Sequence, residues 1–135
     1  MGIIHKSVLM TFLCQEFDKA DELYQAGMKV DPSNANLLVH RGLVALQAKG
    51  DIAKAVELIT KALEIDEKCE FAYETLGTIE VQRGNLKRAI ELFDKAIPLS
   101  NTELEMAHLY GLRDAATAQI TVSSKLGISL PPMGL

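Results

Sequence analysis

Phe71-Ala72-Tyr73-Glu74-Thr75-Leu76-Gly77-Thr78-Ile79-Glu80-Val81-Gln82-Arg83-Gly84-Asn85 reads as a helix that ends in a Gly-Asn turn. Beyond that turn, Ala89, Leu92, Phe93 and Ala96 fall at i, i+3, i+4 and i+7, which is one face of a second helix. The stretch is therefore a helical hairpin, and its signature recurs in both directions. Gly42, Gly77 and Gly111 stand 35 and 34 residues apart, and Ala20, Ala55 and Ala89 keep the same two spacings. A fixed period of this kind marks a stack of like units, each burying its apolar face against a neighbour.

A repeat of about 34 residues has the length of a tetratricopeptide (TPR) unit, two antiparallel helices joined by a tight turn. The expected fold is all-α: a TPR superhelical repeat of antiparallel helix pairs with a long C-terminal capping helix. The array is expected over residues 1–127, with units at about 1–34, 35–69 and 70–101 and a partial fourth unit with the capping helix at 102–127. Residues 128–135, with Pro131-Pro132, read as an extended tail.

In the first unit Ala20, Leu23, Tyr24, Gly27 and Met28 share one helical face, Asp18 is placed to cap the start of that helix, and Pro32 ends it. Ser33-Asn34 supplies N-caps for the second unit. Its first helix runs through Leu38, Gly42, Ala45 and Leu46 to Lys49, Gly50-Asp51 makes the turn, and Ile52, Ala55, Val56, Leu58, Ile59, Ala62 and Leu63 follow on the second helix. Pro98 and Asn101 close the third unit. Thr102 and Glu105 then form a Thr-x-x-Glu capping box, and apolar positions continue without a turn to Leu126 and Gly127. One irregularity stands out. Gly42 and Gly50 are eight residues apart, whereas Gly77 and Gly84 are seven apart, which implies a bulge or a longer turn in the second unit.

Glycine within a helix costs about 1 kcal/mol relative to alanine, so repeated helix glycines imply close helix contact that offsets the cost. Gly42, Gly77 and Gly111 are expected at such contacts, opposite Ala20, Ala55 and Ala89. Tyr24, Leu58 or Ile59, and Phe93 are expected to fill the space between units.

The rest of the chain narrows the function. A chain of 135 residues with a net charge of -4 and no basic block lacks the footprint of a nucleic-acid or anionic-membrane binder. Cys14 and Cys69 are too few for a disulfide scaffold and read as packing thiols. No apolar run reaches the roughly 18 residues of a membrane span. The start lacks the basic region and cleavage site of a signal peptide, and Lys6 stands where a myristoylation signal needs Ser or Thr. His5, His40 and His108 are far apart, with no helical metal pair among them. No phosphate loop, nucleophile elbow or zinc-protease motif occurs. The expectation is therefore no catalytic residue, no metal and no cofactor.

What remains is surface. On the first helices of a TPR stack the groove-facing positions would be His5, Leu9 and Phe12; then Val39, His40, Leu43 and Gln47; then Phe71, Glu74, Thr75 and Thr78; then His108, Leu112 and Ala115. Val39, His40, Leu43, Gln47, Phe71, Glu74, Thr75, Thr78, His108 and Leu112 are the candidate peptide-binding residues. They make an apolar surface with a few polar groups, suited to an amphipathic or extended peptide. Leu43 and Leu112 fit the groove and the packing seam equally well, because periodicity alone does not separate the two.

The run 71–85, together with Val39-His40-Arg41-Gly42 before it and Glu105-Met106-Ala107-His108-Leu109-Tyr110 after it, resembles the C-terminal repeats of the large TPR receptor of the mitochondrial outer-membrane translocase. The resemblance covers about residues 17–127. Glu80-Val81-Gln82-Arg83 and Met106-Ala107-His108 make it specific, since the general repeat pattern does not dictate them. It implies a receptor anchored by an N-terminal helix, with its array in the cytosol at the outer membrane. The N-terminal repeats of that family hold chaperone tails, and its C-terminal repeats receive preproteins with internal targeting signals, notably carriers. The expected partners are thus mitochondrial preproteins or other protein segments. The chaperone clamp needs Lys and Asn on successive first helices, and Lys with Arg on a third. Here His5 and Leu9, His40, and Phe71 and Thr75 occupy those places, so the clamp is not expected in this chain. Residues 2–14 fit the repeat poorly. No anchor is present, so this piece is expected to be soluble, without membrane contact of its own. A generic TPR scaffold or adaptor is the alternative function. The apolar side chains Ile3, Ile4, Val8, Leu9, Phe12 and Leu13 lead us to expect self-association through residues 1–14.

Overall fold

The computed structural model describes residues 2–127, with side chains from Glu16 onward. Its order is α1 (Gly2–Val30), α2 (Ala35–Lys49), α3 (Ile52–Ile65), α4 (Glu70–Gln82), α5 (Leu86–Ala96), a short 3₁₀ turn (Ile97–Leu99) and α6 (Glu103–Leu126). The chain divides into two compact units, Met1–Glu67 and Lys68–Leu135. The tail at 128–135 and the side chains invoked for self-association at 1–14 lie outside the described residues.

In the first unit α1 packs on α2 and α2 on α3. The expected break before Asp18 does not occur, because Asp18 lies inside α1, which runs unbroken from Gly2 to Val30. The reason is local. Cys14-Gln15-Glu16-Phe17-Asp18 contains no glycine, asparagine or proline, whereas both real turns place a glycine at positive φ, 61° at Gly50 and 80° at Gly84. Asp51 caps α3, its carboxylate accepting the Lys54 amide at 3.0 Å. Ala55, Leu58, Ile59 and Ala62 are buried along α3. The hairpin closes where the glycine spacing required. A β-carbon added at Gly42 would stand 3.0 Å from Ile59 and 3.1 Å from the Ala55 carbonyl.

The extra residue of this hairpin is absorbed in the last turn of α2. Asn85 donates its backbone N–H to the Glu80 carbonyl five residues back and Gly84 to Val81, the usual glycine-terminated helix closure. Asp51 instead reaches the Ala45 carbonyl, six residues back. The Gly-Asx turns themselves are equal in length, so the widened helix end accounts for the mismatch.

In the second unit α4 packs on α5 and α5 on α6. Val81, Ala89, Phe93, Ala96, Ile97, Leu109 and Ala116 form one buried cluster, with Tyr73, Leu86, Ile90 and Leu112 packed at its edge. The turn is clamped by Glu80, whose buried carboxylate accepts from Arg83 Nη1 at 2.9 Å and Asn85 Nδ2 at 2.7 Å. A β-carbon at Gly77 would lie 2.5 and 2.8 Å from two ring atoms of Phe93. Phe93 thus packs against the glycine of its own hairpin and, with Leu109 and Ala116 of α6, fills the space between the third repeat and the helix that follows, whereas Ile59 packs against the glycine of its own hairpin.

The capping box forms in a shifted version, in which Glu105 reaches back to the amide of Asn101 rather than that of the cap residue Thr102. Thr102 Oγ1 accepts from the Glu105 amide at 3.1 Å, and Glu105 Oε2 accepts from the Asn101 amide at 3.0 Å. From there α6 runs to Leu126 and ends at Gly127, φ 64°. Gly111 departs from its expected role, because among the described residues nothing lies within 4 Å of a β-carbon built there. The helix continues past the point where a hairpin partner would return, so none of the described residues closes on that glycine.

Candidate functional site

The candidate residues fall into two sets, one in each unit. In the first, His40, Leu43 and Gln47 recur at i, i+3 and i+7 along α2, which puts them on one face. His40 stacks on Tyr24 of α1 with ring centroids 5.2 Å apart and planes 8° from parallel, which holds its imidazole flat against its neighbour. Leu43 is half-buried and Gln47 exposed. Val39 is fully buried. Its side chain belongs to the interior and presents nothing to a ligand, contrary to expectation.

In the second set, Phe71, Glu74 and Thr78 repeat the i, i+3, i+7 spacing on α4, and all three are half-buried. Thr75 is buried, and its hydroxyl donates to the Phe71 carbonyl at 2.7 Å. It too is withdrawn from the surface, its hydrogen bond spent on its own helix. His108, exposed on α6, brings Nε2 to 3.0 Å from Glu74 Oε1 and so ties the faces of α4 and α6 together. Leu112 packs on the edge of the core, which decides for the seam between its two readings.

Sequence reasoning missed the carboxylates beside this set. Glu70 lies one helical turn before Glu74, and Glu105 stands close enough to act on it electrostatically. Burial pushes the Glu70 carboxyl up to about 7, and its hydrogen bond with Glu74 and the charges of Glu74 and Glu105 push in the same direction. Among the described residues its Oε1 is enclosed without a hydrogen-bond partner. The like-charge i, i+4 pair Glu70/Glu74 was visible in the sequence as a signal. The assembled surface is an aromatic side chain, a histidine and three carboxylates on α4 and α6. It suits a segment that offers a basic group beside an apolar one.

A concavity belongs to the first unit. It has a volume of about 210 Å³ and is lined by charges of both signs, among them Asp18, Asp21, Arg41, Lys49, Asp51 and Lys54. Its central pair is Arg41 Nε to Asp21 Oδ1 at 3.0 Å. Burial opposes the Asp21 charge, but the bonds from Arg41 and Gln25 outweigh it and hold this carboxyl below its ordinary range. Among the described residues no group of three or more His, Cys, Asp or Glu side chains could hold a metal, and no helix is long and apolar enough to cross a membrane.

Residues 35–69, which hold the hairpin α2–α3, match the family described as Tetratricopeptide repeat. The chain is 56% identical over 119 residues to the mitochondrial import receptor subunit TOM70 of Rattus norvegicus, an overlap of 88% of this chain and 20% of that protein. Its identity to the Homo sapiens protein of the same name is also 56%, over the same shares. It is 32% identical over 95 residues to the BBSome complex member BBS4 of Xenopus tropicalis, 69% of this chain and 18% of that protein. The chain thus spans about a fifth of the length of the import-receptor relatives.

Proposed function

We propose, for a chain that belongs to the tetratricopeptide-repeat proteins and resembles the C-terminal repeats of a mitochondrial import receptor, that it is a preprotein-binding module rather than an enzyme. The level of identity to the two receptors supports this reading. The observation that carries it is the mixed surface of α4 and α6, where Phe71 supplies apolar contact and Glu74 and Glu105 supply negative charge, with Glu70 beside them partly protonated near neutral pH. Such a surface selects a peptide in which basic and apolar side chains stand close together. His40, Leu43 and Gln47 on α2 offer a more neutral patch on the first unit. The parent receptor would hold the module at the cytosolic face of the outer membrane, and the segment 1–14 would mediate self-association when the array stands alone.

Titration of the chain with carrier-type preprotein segments tests the proposal. Saturable binding that weakens in Glu74→Gln and Phe71→Ala is expected. A folded chain that binds none of them would overturn it. The similarity to a named complex member, BBS4, favours a second reading as a scaffold within an assembly. Purification of the chain in a stable complex devoid of import components would support that reading over the first.

A further inference from the structure

The hollow enclosed by α1, α2 and the start of α3 lies wholly within the first unit and shares no residue with the surface of α4 and α6. Its cause is local. Ala45 and Ala48 stand at i and i+3 on α2 and both line it, so this face of the helix presents two methyl groups where larger side chains would fill the space. Leu58 of α3, which is buried, extends the apolar wall.

The charges around it are not all spent on one another. Asp21 accepts from Arg41 Nε at 3.0 Å and from Gln25 Nε2 at 2.7 Å. Asp51 accepts the Lys54 amide at 3.0 Å. Asp18, by contrast, makes no hydrogen bond or ion pair among the described residues, and neither does the ammonium group of Lys49 or of Lys54. These three come from α1, from the end of α2 and from the first turn of α3, and the carboxylate stands more than the 4.0 Å of an ion pair from either ammonium. The hollow therefore offers one open acceptor and two open donors beside an apolar wall.

Size and charge together select the occupant. The volume of about 210 Å³ falls below the roughly 300–1,000 Å³ of drug-sized sites, which excludes an extended peptide or a nucleotide. A small cation would leave both lysines unanswered, and a small anion would meet Asp18 and Asp21. A molecule that carries both signs answers both. We propose that this hollow binds a small zwitterion with an apolar arm, the chemistry of a free aliphatic amino acid, with its ammonium group at Asp18, its carboxylate at Lys49 and Lys54, and its side chain on Ala45, Ala48 and Leu58.

The test is a titration of the full chain followed by NMR, with three probes: leucine, N-acetylleucine, which lacks the ammonium group, and leucinamide, which lacks the carboxylate. Saturable shifts at Ala45, Ala48 and Leu58 are expected with leucine, and each analogue is expected to bind about fivefold more weakly, the factor suited to partly exposed charge pairs. Lys54→Gln is expected to weaken leucine and N-acetylleucine about fivefold and to leave leucinamide unchanged, whereas Asp18→Asn is expected to weaken leucine and leucinamide and to leave N-acetylleucine unchanged. Both positions are exposed, so the fold survives either change. Ala48→Leu, with an unchanged circular dichroism spectrum, is expected to fill the hollow and remove the shifts. The absence of saturable shifts with leucine would overturn the proposal. So would equal binding of all three probes, or of inorganic phosphate and leucine, since either result would mean that the two open charges do not act together.

Discussion

Replacing Gly77 with alanine is expected to destabilise the protein, although alanine is the better helix former. The added β-carbon would lie 2.5 and 2.8 Å from two ring atoms of Phe93, a fully buried side chain. Overpacking costs about 1–3 kcal/mol, and contacts this short belong at the upper end. Relief from the helix glycine returns about 1 kcal/mol. The net loss is about 2 kcal/mol, or a fall in Tm of about 8 °C for a chain of this size. Gly111→Ala carries the same propensity gain with no neighbour within 4 Å among the described residues, so it is expected to stabilise by about 1 kcal/mol. Urea unfolding followed by circular dichroism measures both changes, with a constant m-value as the check that only stability has moved. Pairing Gly77→Ala with Phe93→Leu gives a coupling of at least about 1 kcal/mol if the ring is the obstacle. The reasoning fails if Gly77→Ala is as stable as the parent, if both alanines shift stability in the same direction, or if the coupling is absent.

Glu70 makes stability depend on pH in a definite direction. Its carboxyl, raised by burial to about 7 from 4.5, binds a proton more tightly in the folded chain, so stability falls as pH rises from about 4.5 to about 7. Glu70→Gln is expected to flatten that part of the Tm profile. Arg41→Ala leaves Asp21 without its 3.0 Å partner, and a loss of about 1 kcal/mol in urea unfolding, shrinking at high salt, is expected for a half-exposed pair. Light scattering of the intact chain is expected to show concentration-dependent association that disappears on removal of residues 1–14, and a monomer at every concentration would exclude it.

The hairpins were legible because each of their signals has one local cause. Gly50-Asp51 and Gly84-Asn85 supply the left-handed residue a helix end requires, and Thr102 with Glu105 starts α6. The breaks that fail show the converse. Asp18 is a good cap only where the chain has already left the helix, and nothing around Cys14–Asp18 makes it leave. Gly111 keeps the period, but a period records position and not the presence of a partner. Val39 and Thr75 share the helix with groove candidates yet are buried, since a 3.6-residue repeat places neighbours on adjoining faces without saying which face is covered. The cluster of Glu70, Glu74 and Glu105 escaped because Glu105 comes from another helix, and only the packing of the second unit brings its charge to bear on Glu70.

The most direct test of the account is to map where a bound preprotein segment lies. A peptide carrying a photoreactive group beside its basic residue, irradiated in complex with the chain, is expected to label α4 and α6 near Phe71, Glu74 and His108, and to lose that labelling in Glu74→Gln. Labelling spread evenly over all helices, or concentrated on the outward side of α5 at Lys87 and Glu91, would contradict it.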